Sequence, residues 1–145
     1  MTASPQFPAN LLSVHETFDA ASHEKDPLTH AIIGAAIRVN TRLGVGLLET
    51  AYETFFCHEL EKIELDIARQ PPMPVVSDGI RLDLAYRPDI IVNGLVIVEI
   101  KTVPKFLPVH DAQLLTYLRL SGIRVGLLIN FHAVPFMSGI KRLVN

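Results

Sequence analysis

The chain has 145 residues, 49% of them hydrophobic, which supports one domain with a real core. No apolar run approaches the ~18 residues that span a bilayer, so a membrane protein is not expected. The net charge of −2 and pI near 6.3 leave no global field drawing the chain to nucleic acid, so any such contact must be local.

The N-terminal Met1-Thr2-Ala3-Ser4-Pro5 lacks the basic start and apolar block of a signal peptide, and a cytoplasmic location is expected. Residues 1–26 mix Ser, Pro, His, Asp and Glu with little periodicity and read as a loosely attached extension, with a short helix over 11–18. The domain proper, 27–145, opens where Asp26 can cap a helix and Pro27 can fill its first turn. Apolar Ile32, Ile33, Ala36, Ile37 and Val39 carry that helix to the Leu43-Gly44 stop. Gly44 and Gly46 then make a tight link to a second helix over 47–63. Cys57 lies within it in Phe55-Phe56-Cys57 and reads as a small buried hydrophobe.

Pro71, Pro72 and Pro74 interrupt a strand-like stretch over 67–76, which suits a sheet edge because proline cannot donate to a ladder. After a turn at Ser77-Asp78-Gly79, residues 80–86 alternate and run on through Pro88 to Val92. Asn93-Gly94 signals a hairpin into a strand over 95–103. A helix over 109–121, stopped by Gly122, and a buried strand over 123–131 complete the order α-α-β-β-β-α-β, a mixed α/β layout with no internal repeat.

The chemistry concentrates in Pro88-Asp89, nine residues, then Glu99-Ile100-Lys101. Period-2 alternation puts Glu99 and Lys101 on one side of a strand that is otherwise apolar from Leu95 to Ile100. Opposite charges so placed are either a structural ion pair or a site. Asp89 joins them only if the hairpin loop is not Asn93-Gly94 alone; a three-residue loop or a glycine bulge sets Asp89 across from Ile97 or Glu99. Glu49, with Tyr52 three residues on, supplies a further carboxylate on a helix face, and Gln113 and Tyr117 lie one turn apart on the later helix. His110 reads as a surface residue at the start of that helix or a phosphate contact. The candidate cations outside the motif, Arg38, Arg42, Lys105, Arg119, Arg124, Lys141 and Arg142, are scattered.

Taken together, these strings resemble the PD-(D/E)XK nuclease superfamily and, within it, the small bacterial GxxExxY family. The strings are Gly46-x-x-Glu49-x-x-Tyr52, Tyr86-Arg87-Pro88-Asp89, Val98-Glu99-Ile100-Lys101, Gln113-Leu114-Leu115-Thr116-Tyr117 and Gly126-Leu127-Leu128-Ile129-Asn130-Phe131. The Gln113-x-x-x-Tyr117 pair is also similar to an additional motif of RecB-type nucleases. The resemblance implies a restriction-endonuclease-like core, a mixed central sheet flanked by helices. It also implies a metal held by Glu49, Asp89, Glu99 and the Ile100 carbonyl, with the carboxylates converging on one cation. Lys101 would orient or activate the attacking water, Gln113 would position the water shell or substrate, and Tyr117 would support it. Oxygen donors without Cys/His spacing suit Mg²⁺ or Mn²⁺. The expected function is metal-dependent phosphodiester hydrolysis with nucleic acid as partner, DNA before RNA. The alternative is a noncatalytic nucleic-acid-binding or adaptor protein that retains the fold. A homodimer is compatible with the sequence.

Overall fold

The computed structural model describes residues 15–17 and 26–145. Asp26 caps helix α1 (Pro27–Leu43) by accepting from the Leu28 and Thr29 amides at 3.2 and 3.4 Å, satisfying donors that a helix start leaves unpaired. Thr29, Ile32, Ile33, Ala36 and Val39 form its buried stripe, and Gly44 ends it at φ 66°. Helix α2 (Glu49–Lys62) buries Tyr52, Phe56 and Leu60, spaced by four, against α1 and the sheet.

The main sheet has six strands in the order β1-β8-β7-β6-β5-β2, formed by β1 (His15–Thr17), β2 (Ile67–Arg69), β5 (Ile90–Val92), β6 (Val96–Lys101), β7 (Val125–Asn130) and β8 (Ile140–Val144). Among the described strands only β6 and β7 run parallel, joined by helix α3 (Pro108–Ser121). Strands β3 (Met73–Ser77) and β4 (Ile80–Tyr86) form a separate two-stranded ribbon. Alternation along the central strands sorts the core into two layers. Ile90, Val92, Val96, Val98, Ile100, Leu127 and Ile129 face α1 and α2, whereas Ile91, Ile97, Leu128 and Leu143 face α3. Gly126 admits α3 to close range: a Cβ there would lie 2.9 Å from the Leu114 side chain.

The mixed α/β order read from the sequence holds for its core, with four differences. The helix expected over 11–18 is absent at His15–Thr17, which form β1 against β8; the rest of that helix and of the extension lies outside the described residues. The strand expected over 67–76 divides at Gln70, whose φ of 49° turns the chain out of the main sheet. The strand expected to run from 80 to 92 breaks at 87–89, so that β4 belongs to the ribbon and β5 to the main sheet. Finally, β8 follows a 3₁₀ turn at Phe136–Gly139 in a segment assigned no element from the sequence.

Candidate metal-dependent hydrolytic site

The β5–β6 hairpin pairs Val92 with Val96 and Ile90 with Val98, so its loop is the three residues Asn93-Gly94-Leu95. Continued by one residue, that register faces Asp89 with Glu99 and resolves the parity in favour of a shared face. At this point the ordinary ladder ends and side chains replace it. The Asp89 amide donates to Glu99 Oε1 at 3.0 Å, and the Ile100 amide donates to Asp89 Oδ2 at 2.7 Å. Each carboxylate is thereby fixed by the other strand's backbone.

Glu99 is 3% exposed. Burial pushes its carboxyl well above the usual carboxylate range, and the Asp89 charge adds to the rise. Asp89 is raised by burial too, against the pull of the Ile100 amide, with Glu53 and Glu49 contributing repulsion. Two acids this close and this dry titrate as a pair. Lys101 lies 4.0 Å from Glu99 and compensates only part of their charge.

Lys101 Nζ donates to Gln113 Oε1 at 3.2 Å, and Gln113 Nε2 donates to the Tyr117 hydroxyl at 2.8 Å. Tyr117 stacks on Tyr86 with ring centroids 4.6 Å apart. The chain Lys101-Gln113-Tyr117-Tyr86 therefore links β6, α3 and the last residue of β4, and it fixes the ammonium beside the acidic pair. A shallow hollow lined by Val109, His110, Ala112, Gln113, Thr116 and Tyr117 adjoins it. His110 Nδ1 accepts from the Leu107 amide at 3.0 Å, and burial together with Lys101 lowers its pKa.

Glu49 comes from the other side of the sheet, at the exposed first turn of α2. Burial raises its pKa; Lys101 lowers it and Glu53 raises it, which puts Glu49 within the electrostatic field of the site. Among the described residues, no three Asp, Glu, His or Cys side chains gather as a ready-made metal cage. The arrangement is a tight pair, Asp89 and Glu99, with Glu49 standing off it. Tyr52 is fully buried and stacks on Phe131 at 4.8 Å. Its hydroxyl donates to Gly44 O at 2.7 Å and accepts from the Leu47 amide at 3.2 Å. The tyrosine therefore shapes the link that presents Glu49.

Two residues without a role in the sequence reading matter here. Glu53 is 3% exposed and sits one turn beyond Glu49, and its charge acts on Asp89. The four-residue spacing was its only signal. Asn130 is 2% exposed; its Nδ2 donates to Val103 O at 2.7 Å and its Oδ1 accepts from Val103 and His132 amides at 3.1 Å each. It clamps the chain just after Lys101.

Several scattered cations are engaged elsewhere. Arg38 and Arg42 pair with the buried Glu59 at 3.0 and 2.8 Å, Lys141 with Asp111 at 2.7 Å, and Arg142 with Asp26 at 3.8 Å. Cys57 is buried, and desolvation pushes its thiol up to about 11, so it packs as a hydrophobe.

The donor chemistry suits a hard divalent cation: two desolvated carboxylates and excess negative charge, with no thiolate or imidazole cluster among the described residues. The sequence model of the PD-(D/E)XK nuclease superfamily matches residues 26–143. Neither the curated proteins nor the solved structures compared contained a match. No helix among the described residues is long and apolar enough to cross a membrane.

Proposed function

The chain belongs to the PD-(D/E)XK nuclease superfamily, and from that premise we propose that it is a metal-dependent nuclease hydrolysing phosphodiester bonds, in DNA rather than RNA. The observation that carries this reading is the Asp89–Glu99 pair, a half-buried and a buried carboxylate locked by each other's strands and undercompensated by Lys101. A fold that desolvates two acids side by side retains a strong demand for a cation.

Asp89 and Glu99, with Glu49 and the Ile100 carbonyl, would hold Mg²⁺ or Mn²⁺. When bound, such an ion acidifies water and neutralises phosphate charge. Lys101, held by Gln113, orients the attacking water and adds positive charge where negative charge develops. Tyr117 keeps the Gln113 amide aimed at the lysine. The GxxExxY affiliation rests on Gly46, Glu49 and Tyr52, and Tyr52's hold on the Gly44–Leu47 link gives that spacing a mechanical reason.

A second reading, a noncatalytic nucleic-acid-binding or adaptor protein, is favoured by the exposure of Glu49 and by the lack, among the described residues, of a three-carboxylate cluster. A cleavage panel of single- and double-stranded DNA and RNA with Mg²⁺ or Mn²⁺, a chelator control and Asp89→Ala decides between them. Metal-dependent cleavage lost in Asp89→Ala supports the nuclease; metal-dependent cleavage of no substrate selects the binding protein.

A further inference from the structure

Arg69 and Gln70 are consecutive, yet both side chains reach the same carboxylate. Arg69 Nε lies 3.5 Å from Glu53 Oε1, and Gln70 Nε2 donates to both Glu53 oxygens at 3.3 and 3.1 Å. A regular strand forbids this, because successive side chains point to opposite faces. The left-handed backbone of Gln70, φ 49°, removes the conflict. A non-glycine residue held there is strained, and such strain persists only where surrounding bonds impose it.

The bonds that impose it lead to the acidic pair. Arg69 pairs with Ile90 in the β2–β5 ladder, and Gln70 extends that ladder by one residue, its amide donating to the Asp89 carbonyl at 2.8 Å. Gln70 thus grips Asp89 through its backbone and α2 through its side chain. Glu53, 3% exposed, is the anchor on α2, four residues from Glu49.

We propose that Gln70 and Glu53 are positioning residues: together they form a strut that sets the backbone of Asp89, and with it the carboxylate that the Ile100 amide holds. The strut also ties the start of α2, hence Glu49, to the same point, so one contact coordinates carboxylates arriving from both sides of the sheet. In its metal arm the inference rests on the proposed metal site; in its geometric arm it does not.

The test uses the full chain. In metal-free protein, amide hydrogen exchange at Ile100 reports whether Asp89 Oδ2 is in place, with Val98 as the control on the same strand. Losing a bond to a charged group corresponds to about tenfold faster exchange. Gln70→Ala should accelerate Ile100 by about that factor and leave Val98 unchanged. It should also weaken Mn²⁺ binding by about 10- to 100-fold, the usual effect of removing a group that orients a ligand. Gln70→Glu sets a like charge against Glu53 and should weaken Mn²⁺ binding further, whereas the reciprocal pair Glu53→Gln with Gln70→Glu restores the contact and should recover both readouts.

Unchanged Ile100 exchange in Gln70→Ala overturns the strut, as does equal acceleration at Ile100 and Val98, which marks a general loss of stability. Failure of the reciprocal pair to improve on Gln70→Glu overturns it as well. Wild-type protein that binds no Mn²⁺ sinks the metal reading instead, and the exchange measurement then decides the strut by itself.

Discussion

Asp89 and Glu99 are held in place by each other's strands: the Asp89 amide binds the Glu99 carboxylate, and the amide following Glu99 binds the Asp89 carboxylate. These crossed bonds stand where the β5–β6 ladder would have continued. They position the acids by main-chain donors, which cannot rotate away, and burial leaves the two charges poorly solvated.

Stability of the metal-free protein should therefore fall as pH rises through neutrality. Both carboxyls have folded-state pKa values above their unfolded ones, so the native state binds more protons and is favoured by acid. Their contribution is full below the unfolded carboxylate range, declines as pH climbs, and is gone above about 8, the value to which Glu99 is pushed. Glu59 acts oppositely: hydrogen bonding from Arg38 leads the causes that lower its pKa, and its contribution is lost only in more acidic solution. Denaturant midpoints measured from pH 5 to 8.5 in chelator should fall with pH, Glu99→Gln should flatten the curve, and added Mg²⁺ should oppose the decline. A flat wild-type curve contradicts the assignment.

Lys101 and Asp89 have different jobs, and substitution should separate them. Lys101→Ala should abolish most cleavage while Mn²⁺ affinity is kept or raised, because a cation beside the site repels another. Asp89→Ala should lose affinity and cleavage together. Calorimetric titration alongside cleavage rates checks both; wild-type cleavage by Lys101→Ala would reduce the lysine to a counter-ion for Glu99.

Tyr52→Phe keeps the stack on Phe131 and removes one hydroxyl that serves Gly44 and Leu47. The unpaired groups should cost about 1–3 kcal/mol in urea unfolding. If the link presents Glu49, Mn²⁺ affinity should fall as well. Lost stability with unchanged affinity would confine Tyr52 to packing.

Asn130→Ala leaves the Val103 amide and carbonyl and the His132 amide without their buried partner, which should cost about 2–3 kcal/mol. Because Phe131 also donates to the Lys101 carbonyl at 2.9 Å, the lysine should lose its fixed approach and cleavage should drop with little change in Mn²⁺ affinity. An affinity loss matching that of Asp89→Ala would assign Asn130 a wider role.

Local chemistry determined much of this protein directly from its sequence. Asp26-Pro27 and Gly44 bound α1, Gly122 stops α3 at φ 76°, and the nearly continuous apolar run of 95–100 marks a strand buried on both faces, because caps, left-handed glycines and side-chain pattern act over a few residues. Asp89, Glu99, Lys101, Gln113 and Tyr117 were visible for the same reason: charge inside an apolar strand and polar pairs one turn apart are anomalies of local pattern. The face occupied by Asp89 was not, since it depends on Leu95 joining the hairpin loop, and a one-residue change of register reverses every side chain. Nor were β1 and β8 legible, because short edge strands take their identity from a partner distant in sequence. Glu53 and Gln70 look like ordinary surface residues along the chain. Only the approach of α2 to β2 buries the carboxylate and supplies the contacts that hold Gln70 in a left-handed conformation its own preferences disfavour.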